Sequence, residues 1–290
     1  MRSETEMFEL ILSTARDDER IRAVILNGSR ANPNAPRDFF QDFDIVYIVT
    51  EVASFTADPA WIDRFGERMI LQTPDAMQDP PPDRNNGAFT YLMQFMDGNR
   101  IDLNLFPLAS LPDLGEDSQS LLLLDKDGLL KPFAAPSDRD YLPTPPTAKA
   151  FADCCNEFWW VSPYVAKGLW RQELTYARTM LDSAVREQLM KMLTWYVGIK
   201  TGFARSPGKE GKYLQQMLEP ELWAMLEKTF ADAADEHTWA ALFTMGDLFR
   251  ITANQVAAAM GFDYPRRDDE RVSAHLQHIR SLPRNAARMY

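Results

Sequence analysis

The sequence predicts an α+β protein, with a mixed sheet and flanking helices in the N-terminal half and a helical bundle in the C-terminal half. Three observations carry that expectation. Short runs rich in Ile, Val, Leu and Tyr, each bounded by turn residues, recur from Ile21 to Phe106. Pro132, Pro136, Pro143, Pro145 and Pro146 then fall in a span that no helix interior or central strand tolerates. Beyond them the apolar residues repeat at helical spacing, with no strand pattern of comparable strength.

Ser3 and Glu6 have capping-box spacing, and Met7, Leu10, Ile11 and Thr14 share a helical period, so an opening helix should end near Asp17. Residues 21–26 form a β-branched run that stops at Asn27-Gly28, where glycine permits a tight turn. Residues 44–50 give a second strand after a loop of Asn, Pro and Asp, and Arg68–Gln72 a third. Phe89–Phe95 and residues 100–106 flank Asp97-Gly98-Asn99, the composition of a hairpin turn. The prolines divide the chain into a domain over 1–135, a linker over 136–146 and a domain over 147–290. In the last, Leu189, Met192, Leu193, Tyr196 and Val197 share one helical face, and further helices are expected over 219–230, 237–260 and 268–281. Pro80-Pro81-Pro82-Asp83 and the tail after Pro265 carry breakers and charge but no functional reading.

Composition excludes several classes. Apolar residues at 46% give ample burial capacity for a folded chain. Apolar runs as short as residues 121–124 cannot span a bilayer. Glu4, Glu6 and Glu9 occupy the stretch where a secretory signal would be apolar, so the expected location is cytoplasmic. A net charge of -11 repels phosphate backbones and favours small cationic partners over nucleic acid. The adjacent Cys154 and Cys155 can neither staple distant segments nor supply a zinc set, and His275 and His278 lack matched ligands. The sequence sets no oligomeric state, and a monomer is compatible with it.

The chemistry resides in carboxylates. Asp42-Phe43-Asp44 opens a strand, and period-two geometry points both acids to one side, where they repel unless cations intervene. The spacing alone is weak, because 42 acids in 290 residues produce about six such pairs by chance. Two features strengthen it: Gly28-Ser29-Arg30 ends the preceding strand, and Asp102 interrupts the apolar strand Ile101, Leu103, Leu105. A strand ending in Gly-Ser, an Asp-x-Asp strand and a later strand aspartate make a phosphoryl-handling set. Magnesium takes hard oxygen ligands, usually few carboxylates together with substrate phosphates. A small turn at Gly28 lets backbone N–H groups and the Ser29 hydroxyl approach phosphates, and Arg30 could offset their charge.

Asn27-Gly28-Ser29-Arg30-Ala31-Asn32, Gln41-Asp42-Phe43-Asp44-Ile45 and Gly98-Asn99-Arg100-Ile101-Asp102-Leu103 together resemble the aminoglycoside 6-adenylyltransferases, the streptomycin-modifying branch of the nucleotidyltransferase superfamily. Glu157-Phe158-Trp159-Trp160-Val161 with Tyr164, Lys167 and Trp170, then Trp195-Tyr196-Val197-Gly198, then Gly208-Lys209-Glu210-Gly211-Lys212-Tyr213 continue the likeness in the same order. The resemblance implies an N-terminal nucleotidyltransferase domain and a C-terminal helical substrate-binding domain, with MgATP and the aminoglycoside in the cleft between them. It implies transfer of AMP from ATP to the 6-hydroxyl of streptomycin with release of pyrophosphate, which inactivates the antibiotic. On that basis Asp42 and Asp44 are Mg2+ ligands, and Asp102 is a third ligand and the proton acceptor. Gly28, Ser29 and Arg30 hold phosphates, joined by Lys167, Lys209 and Lys212 from the helical side. The segment 208–212 is no Walker loop, since its spacing is wrong and Tyr213 stands in place of Ser or Thr. Streptomycin carries guanidinium groups, which the faces of Trp159, Trp160 and Trp170 and the charges of Glu157 and Glu173 would suit. Two alternatives stay open at this point: a related transferase using another hydroxylated amine or nucleotide, and a non-catalytic binder of cations.

Overall fold

The computed structural model describes residues 1–77, 79 and 86–290, so the Pro80-Pro81-Pro82-Asp83 stretch lies outside the described residues. The first helix, α1 (Glu4–Asp17), starts at a formed capping box: the Ser3 hydroxyl accepts from the Glu6 N–H at 3.3 Å, and the Glu6 carboxylate accepts from the Ser3 N–H at 2.7 Å. Next come β1 (Ile21–Asn27), the one-turn helix α2 (Gly28–Ala31), β2 (Phe43–Val49), a one-turn α3 (Ala53–Thr56) and β3 (Arg68–Gln72). The hairpin strands β4 (Phe89–Phe95) and β5 (Arg100–Pro107) follow, then β6 (Leu121–Asp125). Of these, β6 is new relative to the expected strands. A run of leucines has no period of two and does not separate strand from helix, and pairing with β1 decides it.

The strands form one sheet in the order β3-β4-β5-β2-β1-β6. All neighbours are antiparallel except β2 and β5, which run parallel with Phe43 opposite Ile101 and Asp44 opposite Asp102. Alternation then sorts the side chains. Phe43, Ile45, Tyr47 and Val49 of β2 and Ile101, Leu103 and Leu105 of β5 enter a core closed by Met7, Ile11 and Ala15 of α1. Asp44, Asp102 and Asn104 therefore belong to the opposite side, where Ala23, Ile25, Val46, Ile48 and Phe106 make a smaller apolar cluster. The buried Tyr47 hydroxyl donates to the Ile11 carbonyl at 2.6 Å and fastens α1 to the strand that carries Asp44.

The chain divides into two units, Met1–Asp140 and Tyr141–Tyr290. The second contains α4 (Ala148–Trp170), α5 (Leu174–Thr179), α6 (Arg186–Thr201), α7 (Pro220–Lys228), α8 (Asp235–Met260) and α9 (Arg266–Ser281). Its core is largely aliphatic with an aromatic centre, where Phe158 of α4 stacks on Phe249 of α8 with ring centroids 3.9 Å apart. Asp269, 3% exposed, accepts a two-pronged contact from Arg250 at 2.6 Å and a hydrogen bond from the Tyr264 hydroxyl at 2.8 Å, tying α8 to α9. No helix among the described residues is long and apolar enough to cross a membrane.

Replacing Tyr47 by Phe should lower stability by about 1 kcal/mol in urea unfolding, because one buried hydrogen bond is lost while the ring still packs.

Candidate active site

The turn after β1 and the start of β2 are built against each other. Gly28 adopts φ +72°, and a Cβ there would lie 2.3 Å from Asp44 Oδ2, so both the conformation and the closeness of the carboxylate require glycine. Gln41 fixes the approach to β2 by donating from Nε2 to the Ser29 carbonyl at 3.2 Å and the Ser29 hydroxyl at 3.4 Å. Its Oε1 is buried without a hydrogen-bond partner among the described residues, as is Oδ1 of Asn104, two positions beyond Asp102.

Arg30, expected to hold phosphates, is enclosed within the fold. It is 7% exposed, donates to the backbone carbonyls of Asp42 at 3.2 Å and Gln41 at 2.6 Å, pairs with Glu4 at 3.1 Å and lies over the Phe43 ring at 3.9 Å. Its fork is consumed in strapping the segment that carries Asp42, and its charge reaches both aspartates through space.

The parallel register sets Asp44 beside Asp102, and Asp42 lies close enough to interact with both. Burial, followed by the charges of Asp102 and Asp42, pushes the Asp44 carboxyl up to about 6. Burial raises Asp42 also, with the Arg100 charge opposing it. Arg100 is the residue that sequence reasoning missed. Its Nε and Nη2 grip the Asp102 oxygens at 2.7 and 2.8 Å, and its Nε lies 3.7 Å from Asp42 Oδ2. The available signal was its position two residues before Asp102 on a strand, which places both side chains on one face.

Among the described residues no group of three His, Cys, Asp or Glu stands ready to hold a metal ion. The Arg100 fork occupies Asp102 instead. The donor set still fits a hard divalent cation: it consists of carboxylate oxygens, a protein cation already bridges two of them, and the third is held protonation-prone by burial and like charge. Asp42, Asp44 and Asp102 are the residues that could hold such an ion.

In the helical unit the structure separates residues that the sequence grouped. Trp159, 3% exposed, belongs to the core and donates to the Tyr264 hydroxyl at 3.1 Å, whereas Trp160 is 64% exposed. Both border a recess of about 750 Å³ with Tyr164, Asp153, Asp263 and Asp268. Asp153 is far in sequence from Asp263 and Asp268, and the three carried no motif. Trp170 is instead half-buried, donating to the Leu282 carbonyl at 3.2 Å. Glu157 and Glu173 are exposed and do not line that recess. Lys167 lies 4.7 Å from the Tyr164 ring centroid, and Lys209 and Lys212 are exposed around a turn in which Gly208 and Gly211 have positive φ.

A mixed sheet that sets a strand-opening Asp-x-Asp beside a Gly-Ser turn and aligns it in register with a third aspartate defines a nucleotidyltransferase. The chain belongs to the streptomycin adenylyltransferase family, whose model matches residues 1–279, and it is an enzyme of the nucleotidyltransferase class. It is 42% identical to an aminoglycoside 6-adenylyltransferase of Campylobacter jejuni over 271 residues, 93% of each chain. It is 41% identical to the protein of that name from Bacillus subtilis over 271 residues, 93% of this chain and 95% of that one. A crystal structure of an aminoglycoside 6-adenyltransferase from Bacillus subtilis aligns with 97% of this chain and 100% of that chain at 36% identity, with a TM-score of 0.48.

The raised Asp44 carboxyl sets a pH dependence of stability. The folded state holds this proton up to about pH 6, while the unfolded chain releases it near the ordinary 3.8, so the group's contribution falls as pH rises between those values. In metal-free buffer Asp44→Asn should therefore raise the melting temperature at pH 8 and change it little at pH 4.

Proposed function

We propose that the protein transfers AMP from MgATP to the 6-hydroxyl of streptomycin, releasing pyrophosphate. Support for the chemistry rests on one observation above the others: Asp44 and Asp102 are register partners on parallel strands, with Asp42 beside them and a guanidinium already drawn into the cluster. Support for the substrate comes from membership of a family named for streptomycin adenylylation and from relatives named for the 6-position of aminoglycosides.

In this reading Asp42 and Asp44 hold Mg2+, and Asp102 is both a further ligand and the acceptor of the proton from the attacking hydroxyl. Bound magnesium would offset the charge that develops on the α-phosphate and on the departing pyrophosphate. The Gly28-Ser29 turn offers backbone N–H groups and a hydroxyl to the phosphates, with the Asp44 carboxylate held against the turn. Arg30 keeps the Asp42 segment in place from within the fold. For the aminoglycoside, the exposed Trp160 indole and the carboxylates of Asp153, Asp263 and Asp268, which outnumber the single cation Arg271 on the same lining, give a recess suited to guanidinium and ammonium groups. Dependence on ATP and two free, buried cysteines fit a reducing cytoplasm.

Exposure of streptomycin to the protein and MgATP should increase the mass of the antibiotic by one AMP unit and release pyrophosphate. GTP, CTP and other aminoglycosides offered in the same assay distinguish a related transferase, and binding without turnover would replace the reading with a sequestering protein. Asp42→Asn should cut the rate at least about a hundredfold in a protein that still folds; full turnover in that variant would remove the metal role from Asp42. Trp160→Ala should raise the KM for streptomycin by about 3- to 30-fold with kcat little changed, as measured by steady-state kinetics.

A further inference from the structure

Arg100 lies where a divalent cation would serve the same carboxylates. Its planar fork makes two parallel contacts to Asp102, at 2.7 and 2.8 Å, and the same Nε stands 3.7 Å from Asp42. Of the two arginines near the cluster, Arg30 is enclosed and fully engaged with backbone carbonyls, Glu4 and the Phe43 ring. The Arg100 side chain is 39% exposed, and its ion pairs run to Asp42 and Asp102. One arginine is built in, whereas the other has room to leave.

We infer that Arg100 is a displaceable internal cation that occupies Asp42 and Asp102 in the metal-free enzyme, competes with the entering divalent ion, and swings off as that ion binds. The inference rests on the reading that these carboxylates bind a metal. Charge balance favours the exchange. Strand register sets Asp44 beside Asp102, Arg100 reaches Asp42 as well as Asp102, and one guanidinium charge offsets only part of the charge of three carboxylates. A divalent cation supplies twice the charge and prefers the same oxygens, so the two cannot both hold the Asp102 carboxylate in its present geometry. Arg100 thereby keeps the empty cluster stable at the expense of metal affinity, and acts as a positioning residue for Asp42 and Asp102.

Mn2+ alone, titrated into the full-length protein and followed by electron paramagnetic resonance of the free ion, tests this. Arg100→Gln should bind Mn2+ at least about tenfold more tightly than the wild type, because a competing charge is gone. It should also melt at a lower temperature than the wild type without metal, with the difference closing as Mn2+ saturates. Arg100→Lys, which keeps the charge without the fork, should fall between the two and carries the test if Arg100→Gln does not fold. Equal Mn2+ affinity, with a melting deficit that metal leaves unchanged, would make Arg100 a fixed strut and overturn the inference while the metal site stands. Absence of Mn2+ binding in wild type, Arg100→Gln and Asp44→Asn alike would overturn both.

Discussion

The parallel pairing of β2 with β5 is the constraint on which the candidate site depends. Every other pairing in the sheet is antiparallel. A parallel pair brings the starts of two strands to the same end of a sheet, and this register sets Asp44 beside Asp102 while Phe43 and Ile101 anchor the opposite face in the core. A slip of β2 by one residue would exchange its faces, turning Asp44 toward Met7 and Ile11 of α1 and turning Phe43 and Tyr47 out of that core. The cost of such an exchange fixes the register, and the register fixes the chemistry.

That arrangement creates an electrostatic problem which the neighbouring residues address at different depths. Arg30 works from beneath, stacked on Phe43 and bonded to the carbonyls of Gln41 and Asp42. Arg100 works from the strand face, directly on the carboxylates. Gly28 allows the turn to close on Asp44 to a distance no side chain would permit. A cluster of this kind is costly to assemble, and carboxylates shifted this far gather at functional sites.

The helical unit shows how one motif divides between structure and surface. Adjacent residues on a helix point about 100° apart, so Trp159 and Trp160 cannot share a role. Trp159 enters the core and completes a chain of hydrogen bonds through Tyr264 to Asp269, itself held by Arg250. Trp160 is left facing solvent at the recess edge. Family motifs of this sort mix residues kept for packing with residues available to a ligand, and burial separates them.

By itself the sequence determined the local facts: the capping box at Ser3 and Glu6, the glycine turn at Gly28, the hairpin around Gly98, the helical second half, and the motif order that marks the family. These depend on neighbours within a few residues or on residue types at fixed spacing, which a linear string records. Only the tertiary structure decided that β6 is a strand, that Arg30 is enclosed, that Arg100 grips Asp102, and that Asp153, Asp263 and Asp268 line one recess together with Trp160. Each of these turns on long-range pairing or on which side chain wins a buried position, and that competition is settled by packing and charge across the whole unit rather than by local spacing.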